Sequence, residues 1–140
     1  MFWAQKGDKV GIINNYNRII IPFEYDGYNI NKDSGSTHLE GLIKRVVSTN
    51  ADMGIAYDGD GDRCLAIDDE GNEINGDIVL AILSNYMRKN NKLNKDTIVA
   101  TVMSNLGLKK YSKENNLQFV ETKVGDRYVL EEMIDKGYVL

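Results

Sequence analysis

Between residues 76 and 140 the hydrophobic spacing switches repeatedly between the periods of helix and strand, and this alternation constrains the fold more than any other feature. "DIVLAILSNYMRKN" has helical spacing, "TIVAT" reads as a strand and "SNLGLKKYSKENN" as a helix capped by Ser104. "QFVET" is a further strand, and "DRYVLEEMIDKG" a last helix. Strands separated by helices pair in parallel through right-handed crossovers, so an α/β fold with helices on both sheet faces is expected here. The chain then closes on "GYVL", an apolar, strand-like ending that leads one to expect more structure after it. The incomplete sheet edge at Leu140 is a place where two chains could pair.

The first half has a different texture. "VGIINNYNRIII", residues 10–21, holds two β-branched runs separated by asparagines, which predicts a hairpin turning near residues 14–17 and closed by Pro22. In "GSTHLEGLIKRVVSTN" the apolar residues Leu39, Leu42, Ile43, Val46 and Val47 share one helical face. Thr37 and Glu40 have the spacing of a capping box, so the helix should begin close to His38, itself a neighbour of the cap. "MGIAY" then reads as a short buried strand, "CLAID" as a second strand, and "DEGN" as the turn that follows. Cys64 on that second strand is expected to be a buried small hydrophobe, with Tyr57 packed under the preceding loop. The organisation expected is an N-terminal hairpin over residues 1–26, an α/β piece over 27–75 and a second over 76–140.

Between those two strands lies "DGDGDR", residues 58–63, in which three carboxylates are spaced by two glycines. Unit charges about 4 Å apart repel by roughly 4 kcal/mol at an effective dielectric near 20, so three converging carboxylates would cost on the order of 10 kcal/mol. A proton or a cation must relieve that repulsion. Mg²⁺ takes oxygen ligands at short distance and keeps room for water or a phosphate oxygen, so Asp58, Asp60 and Asp62 are candidate ligands. Gly59 and Gly61 allow the backbone to aim alternate side chains at one centre, and Arg63 supplies a planar donor suited to phosphate. A solvated surface turn is the plainer reading of the same residues. A calcium loop of the EF-hand type fits poorly, because Arg63 stands where the sharp turn requires glycine and the preceding segment reads as a strand.

Bulk composition narrows the partners. With a formal charge of −4 and scattered lysines in 140 residues, there is no basic stripe for nucleic acid or an anionic membrane surface. No apolar run reaches the roughly 18 residues of a membrane span, and "MFWAQKGDK" lacks a secretory signal's pattern. A single cysteine agrees with a reducing compartment, so a cytoplasmic protein is expected.

The motifs "NINKDSGSTHLEGL", "GIAYDGDGDRCLAIDDEGNEINGD", "TVMSNLGL" and "ETKVGDRYVLEEM" occur in an order that resembles the central part of the bacterial phosphoglucosamine mutase family, within the α-D-phosphohexomutase superfamily. The resemblance runs from about residue 27 to 140. It implies parts of two phosphohexomutase α/β/α domains, the second and third of four, around a cleft for a phosphosugar. It also implies movement of a phosphoryl group between the 6- and 1-positions of glucosamine phosphate by way of a phosphoserine and a bisphosphate. Asp58, Asp60 and Asp62 match the family's Mg²⁺ ligands and Arg63 its phosphate contact. Gly125, Asp126 and Arg127 match a substrate-binding loop facing the cleft, where a helix N-terminus could offer amides to an anion; a plain helix cap with an exposed arginine explains that loop equally well. No segment matches the family's nucleophilic serine, so the chain by itself is expected to be inactive. Residues 6–26 resemble one unit of a tryptophan-glycine type β repeat, which makes Trp3 a packing residue.

Overall fold

The computed structural model describes residues 32–140 and, before them, Tyr16 and the backbone of three strands. The side chain of Trp3 lies outside the described residues. The chain divides into two compact units, residues 1–73 and 74–140, each considered by itself.

In the first unit, β1 (Phe2–Lys6), β2 (Lys9–Ile13) and β3 (Ile19–Tyr25) form an antiparallel sheet in that order. The expected β2–β3 hairpin is present with one more strand beside it. Pro22 does not close β3, which runs on to Tyr25. The pairing of β2 with β3 slips between Val10↔Tyr25 and Ile12↔Ile21, so Pro22 sits on an edge strand within a register irregularity. Proline is tolerated there because no ladder bond needs its missing N–H.

Next, α1 (Glu40–Thr49) packs on the hairpin of β4 (Met53–Tyr57) and β5 (Cys64–Asp68), with the short β6 (Glu73–Ile74) beside β5. The capping box does not form. Residues Gly35–Thr37 make a 3₁₀ turn, His38 is extended and exposed, and the helix starts after Leu39 with no side-chain cap. β4 and β5 pair antiparallel with Gly54 opposite Ile67 and Tyr57 opposite Cys64. Gly54, Ala56, Leu65 and Ile67 therefore share the face toward α1, and a Cβ on Gly54 would meet Val46 Cγ2 at 2.6 Å.

That register corrects three expectations. β4 is buried on one face only, since Gly54 and Ala56 are inside while Met53, Ile55 and Tyr57 are about half exposed. Tyr57 consequently does not pack under the loop. Cys64 is exposed because it lies across from Tyr57 on the face away from the helix.

The second unit follows the predicted alternation. Helix α2 (Gly76–Lys89), strand β7 (Thr97–Thr101), helix α3 (Leu106–Glu114), strand β8 (Gln118–Thr122) and helix α4 (Asp126–Lys136) succeed one another. β7 and β8 are parallel, in the register Thr97↔Gln118 to Thr101↔Thr122. α3 is capped by Asn105 instead of Ser104: the Asn105 side chain accepts from Leu108 N–H at 2.9 Å, whereas Ser104 N–H closes a turn onto Thr101 O. Asn75 caps α2 in the same way. The core gathers Leu93, Ile98, Ala100, Leu108 and Leu117, with Leu80, Tyr111, Phe119 and Leu140 packed around them. The Tyr111 hydroxyl reaches this apolar centre without an unsatisfied proton because it donates to Ala81 O at 3.1 Å. Among the described residues no helix is long and apolar enough to cross a membrane.

Candidate metal centre

The loop joining β4 to β5 begins where the last ladder pair, Tyr57↔Cys64, ends. It folds back through a turn in which Gly61 N–H donates to Asp58 O at 3.2 Å. Of the two loop glycines only Gly61 takes a positive φ, 72°, so one glycine supplies the conformational freedom expected of both. Asp58, Asp60 and Asp62 each offer a carboxylate oxygen, and these oxygens lie within 4.8 Å of one another. That is the convergence the spacing predicted, and the all-oxygen donor set suits a hard divalent cation such as Mg²⁺.

Asp58 is the anchor, with its side chain only 10% exposed against 66% for Asp62. Its Oδ1 accepts from the backbone N–H of Arg63 at 3.1 Å, and its Oδ2 lies 3.6 Å from Arg63 Nε. Burial pushes the Asp58 carboxyl up. The Arg63 amide, a hydrogen bond with Asp62 and the guanidinium charge together outweigh that and hold it below the ordinary aspartate value. Asp62 moves the other way. Its hydrogen bond with Asp58, then repulsion from Asp58 and Asp60, raise its pKa. The opposite shifts follow from how closely the two carboxyl groups interact, and a cation held between them would relieve their repulsion. Arg63 is 70% exposed on its side chain, and its Nε also lies 3.9 Å from Asp62 Oδ1.

Gly125, Asp126 and Arg127 belong to the second unit, at the start of α4. Gly125 has φ 131°, a conformation that favours glycine, and a Cβ there would be in ordinary van der Waals contact with the Tyr128 ring at 3.4 Å. Asp126 Oδ1 accepts from the Arg127 N–H at 2.8 Å, so that first-turn amide is already taken. The Arg127 guanidinium is tied along the helix to Glu131 Oε1 at 2.7 Å. Lys123, which sequence reasoning passed over, stands over the Tyr128 ring at 5.7 Å. Ser84 and Ser112 donate within their own helices to Ala81 O and Leu108 O, an arrangement that leaves neither hydroxyl presented as a nucleophile.

Residues 75–140 match the family model of phosphoglucomutase/phosphomannomutase, alpha/beta/alpha domain III. A phosphoglucosamine mutase of Bifidobacterium longum subsp. infantis is 57% identical over 122 residues, which is 87% of this chain and 26% of that protein. One from Limosilactobacillus reuteri is 52% identical over 143 residues, covering 98% of this chain and 32% of that protein. Homology therefore runs past residue 27 toward the N-terminus, into the segment that resembles a β repeat. Among solved structures, a phosphoglucomutase/phosphomannomutase family protein of Burkholderia thailandensis matches with TM-score 0.61 and 25% identity over 71% of this chain and 21% of that one. A putative phosphomannomutase of Thermus thermophilus shares the fold, with TM-score 0.63 at 19% identity over 78% of this chain and 25% of that one. The chain is thus a phosphohexomutase segment, homologous over most of its length to phosphoglucosamine mutases and spanning between about a quarter and a third of the length of the two compared here.

Proposed function

We propose that this chain supplies the Mg²⁺ loop and part of the sugar-phosphate cleft of a phosphoglucosamine mutase. The whole enzyme would interconvert glucosamine 6-phosphate and glucosamine 1-phosphate in the cytoplasm, providing amino sugar for the cell wall. The convergence of Asp58, Asp60 and Asp62 carries the reading, because three carboxylate oxygens within 4.8 Å of one another offer the all-oxygen donor set that a hard divalent cation takes.

In the reaction, a phosphoserine gives its phosphoryl group to the free hydroxyl of the hexose monophosphate. The resulting bisphosphate turns over and returns its other phosphoryl group to the serine. Such transfers depend on positioning and on neutralising charge at the phosphoryl oxygens. Asp58, Asp60 and Asp62 would hold Mg²⁺, which supplies that neutralisation when bound. Arg63, fixed by Asp58 at its amide and its Nε, would contact the phosphate. Gly125, Asp126 and Arg127 would shape the sugar-phosphate side of the cleft. Without the nucleophilic serine the chain alone turns nothing over. A phosphomannomutase or phosphoglucomutase specificity is the second reading, favoured by the domain III description and the Thermus thermophilus likeness; the 52–57% identity to phosphoglucosamine mutases favours glucosamine. A non-catalytic metal-binding or assembly module would show metal binding without any such activity in the complete gene product.

The test is a Mg²⁺ or Mn²⁺ titration of thermal stability in the parent and in Asp60→Asn, beside a mutase assay with glucosamine 6-phosphate and catalytic bisphosphate. A metal-dependent rise in the parent that is reduced in the variant is expected, with no turnover by this chain. Equal responses would remove the metal site, and turnover would overturn the inactive reading.

A further inference from the structure

All four amides of the loop after β7, residues 102–105, are engaged. Val102 N–H donates to Thr122 O at 3.0 Å, Met103 N–H to Thr101 Oγ1 at 3.2 Å and Ser104 N–H to Thr101 O at 3.0 Å. Asn105 N–H donates to Asp77 Oδ2 at 2.9 Å. The β7–β8 pair itself supplies three of the acceptors, while the fourth comes from the first turn of α2, 28 residues earlier in the chain. A carboxylate acceptor makes that bond the stronger kind. Asn105 in turn caps α3 through its side chain, so Asp77 fixes the point at which the loop becomes helix.

Strand direction gives this brace its importance. β7 and β8 are parallel and end level with one another, Thr101 opposite Thr122. The loop 102–105 and the loop that leads to Gly125, Asp126 and Arg127 therefore leave the same end of the sheet, from strands about 4.8 Å apart. That carboxyl end is where α/β sheets bind their ligands, and a site there is only as precise as the contacts that hold its loops.

We propose that the loop 102–105 is a wall of the sugar-phosphate site beside Gly125, Asp126 and Arg127, and that Asp77 is the positioning residue that holds this wall through the Asn105 amide. The proposal rests on the phosphosugar reading and extends it to a residue outside the motifs that face the cleft. Asp77 touches no substrate in this role. It acts through the backbone of the loop.

Hydrogen exchange on this chain and mutase kinetics on the complete gene product test the two halves of the proposal. Asp77→Ala should speed exchange at the Asn105 amide by about tenfold or more and leave the Val102 amide, bonded to β8, as it was. In the complete gene product the same variant should lower kcat/KM for glucosamine 6-phosphate by about tenfold or more. The loss should appear in kcat as well as in KM, because a displaced wall misorients substrate that is already bound. A variant that merely unfolds more readily keeps both constants well below its thermal midpoint. Asp77→Asn, which keeps an acceptor oxygen without the charge, should recover most of the loss. A complete gene product without mutase activity would overturn the phosphosugar reading and this inference with it. An active one in which Asp77→Ala keeps the parent's kcat and KM would overturn the inference alone, as would an Asn105 amide that exchanges at the parent's rate in Asp77→Ala.

Discussion

Asp58 holds Arg63 at two points, accepting from its amide at 3.1 Å through one oxygen and lying 3.6 Å from its Nε through the other. The same carboxylate is the least exposed of the three that converge in the loop. It serves the loop's shape as well as its charge, and the two roles separate in variants. Asp60→Asn should weaken Mg²⁺ binding with little change in stability measured in a chelator. Asp58→Asn should weaken binding and also lower the chelated protein's thermal midpoint, because an amide oxygen is a poorer acceptor and carries no charge for the guanidinium. Equal midpoints for the two variants in chelator would contradict the anchoring role.

Asp62 gives the opposite sign. Its pKa is raised by the hydrogen bond with Asp58 and by repulsion from Asp58 and Asp60. A carboxyl whose folded pKa lies above its unfolded one stabilises at low pH, and that contribution is lost as pH rises through the raised value. At pH 7 in chelator, Asp62→Asn should therefore melt at or above the parent's temperature. With Mg²⁺ the order should reverse, since the parent alone gains the full ligand set. The metal-induced shift in the parent should shrink on acidification toward pH 4, as the proton on Asp62 competes. A lower midpoint for Asp62→Asn in chelator would mean that the carboxylates do not strain one another.

Gly54 marks the closest approach of α1 to the hairpin that carries the loop. A Cβ there would lie 2.6 Å from Val46 Cγ2 and 2.9 Å from Leu42, both on the inner face of the helix. Gly54→Ala should cost about 1–3 kcal/mol by overpacking. Gly41→Ala is the control, because nothing lies within 4 Å of its added Cβ and it sits inside the helix; it should be neutral or stabilising. Denaturant unfolding compares the two, and equal stabilities would refute the close approach.

Much of this was legible in the sequence because it rests on periodicity. The second unit's order of elements came from spacing alone, and the convergence of Asp58, Asp60 and Asp62 from a two-residue repeat on a hairpin loop. What was missed depends on geometry that spacing does not encode. Thr37 and Glu40 have the capping-box interval, but a 3₁₀ turn at Gly35–Thr37 comes first and the helix begins too late for Thr37 to reach it. Cys64 looked buried because "CLAID" is largely apolar, and only its pairing with Tyr57 reveals that it faces away from the helix. Arg127 pairs with Glu131 one turn later in the ordinary i,i+4 manner of a helix surface, a bond that the loop motif does not announce.

The choice of cap on α3 can be measured directly. Ser104 and Asn105 are adjacent and both are good capping residues, but only Asn105 accepts from the Leu108 amide. Its own N–H is taken by Asp77 Oδ2 at 2.9 Å, which ties the loop after β7 to the start of α2. Asn105→Ala should cost about 1 kcal/mol, and Ser104→Ala close to nothing. The opposite order would return the cap to Ser104.

Asp68 controls the turn that ends β5, and its signature is a pH dependence. Its carboxylate accepts from the Asn72 side chain at 3.0 Å and from the amides of Asn72 and Glu70 at 2.7 and 3.1 Å. The Asn72 side chain, then the Asn72 amide, hold its pKa below the ordinary aspartate value. A lowered folded pKa means stability that is present above the unfolded value near 3.8 and is lost as pH falls through the folded one. Thermal midpoints between pH 6 and pH 2.5 should fall more steeply in the parent than in Asp68→Asn, which starts lower and has no proton to take up at that position. Because the group is exposed, the difference should be modest and should not depend on Mg²⁺. Parallel curves for the two proteins would show that the turn does not draw on the charge of Asp68.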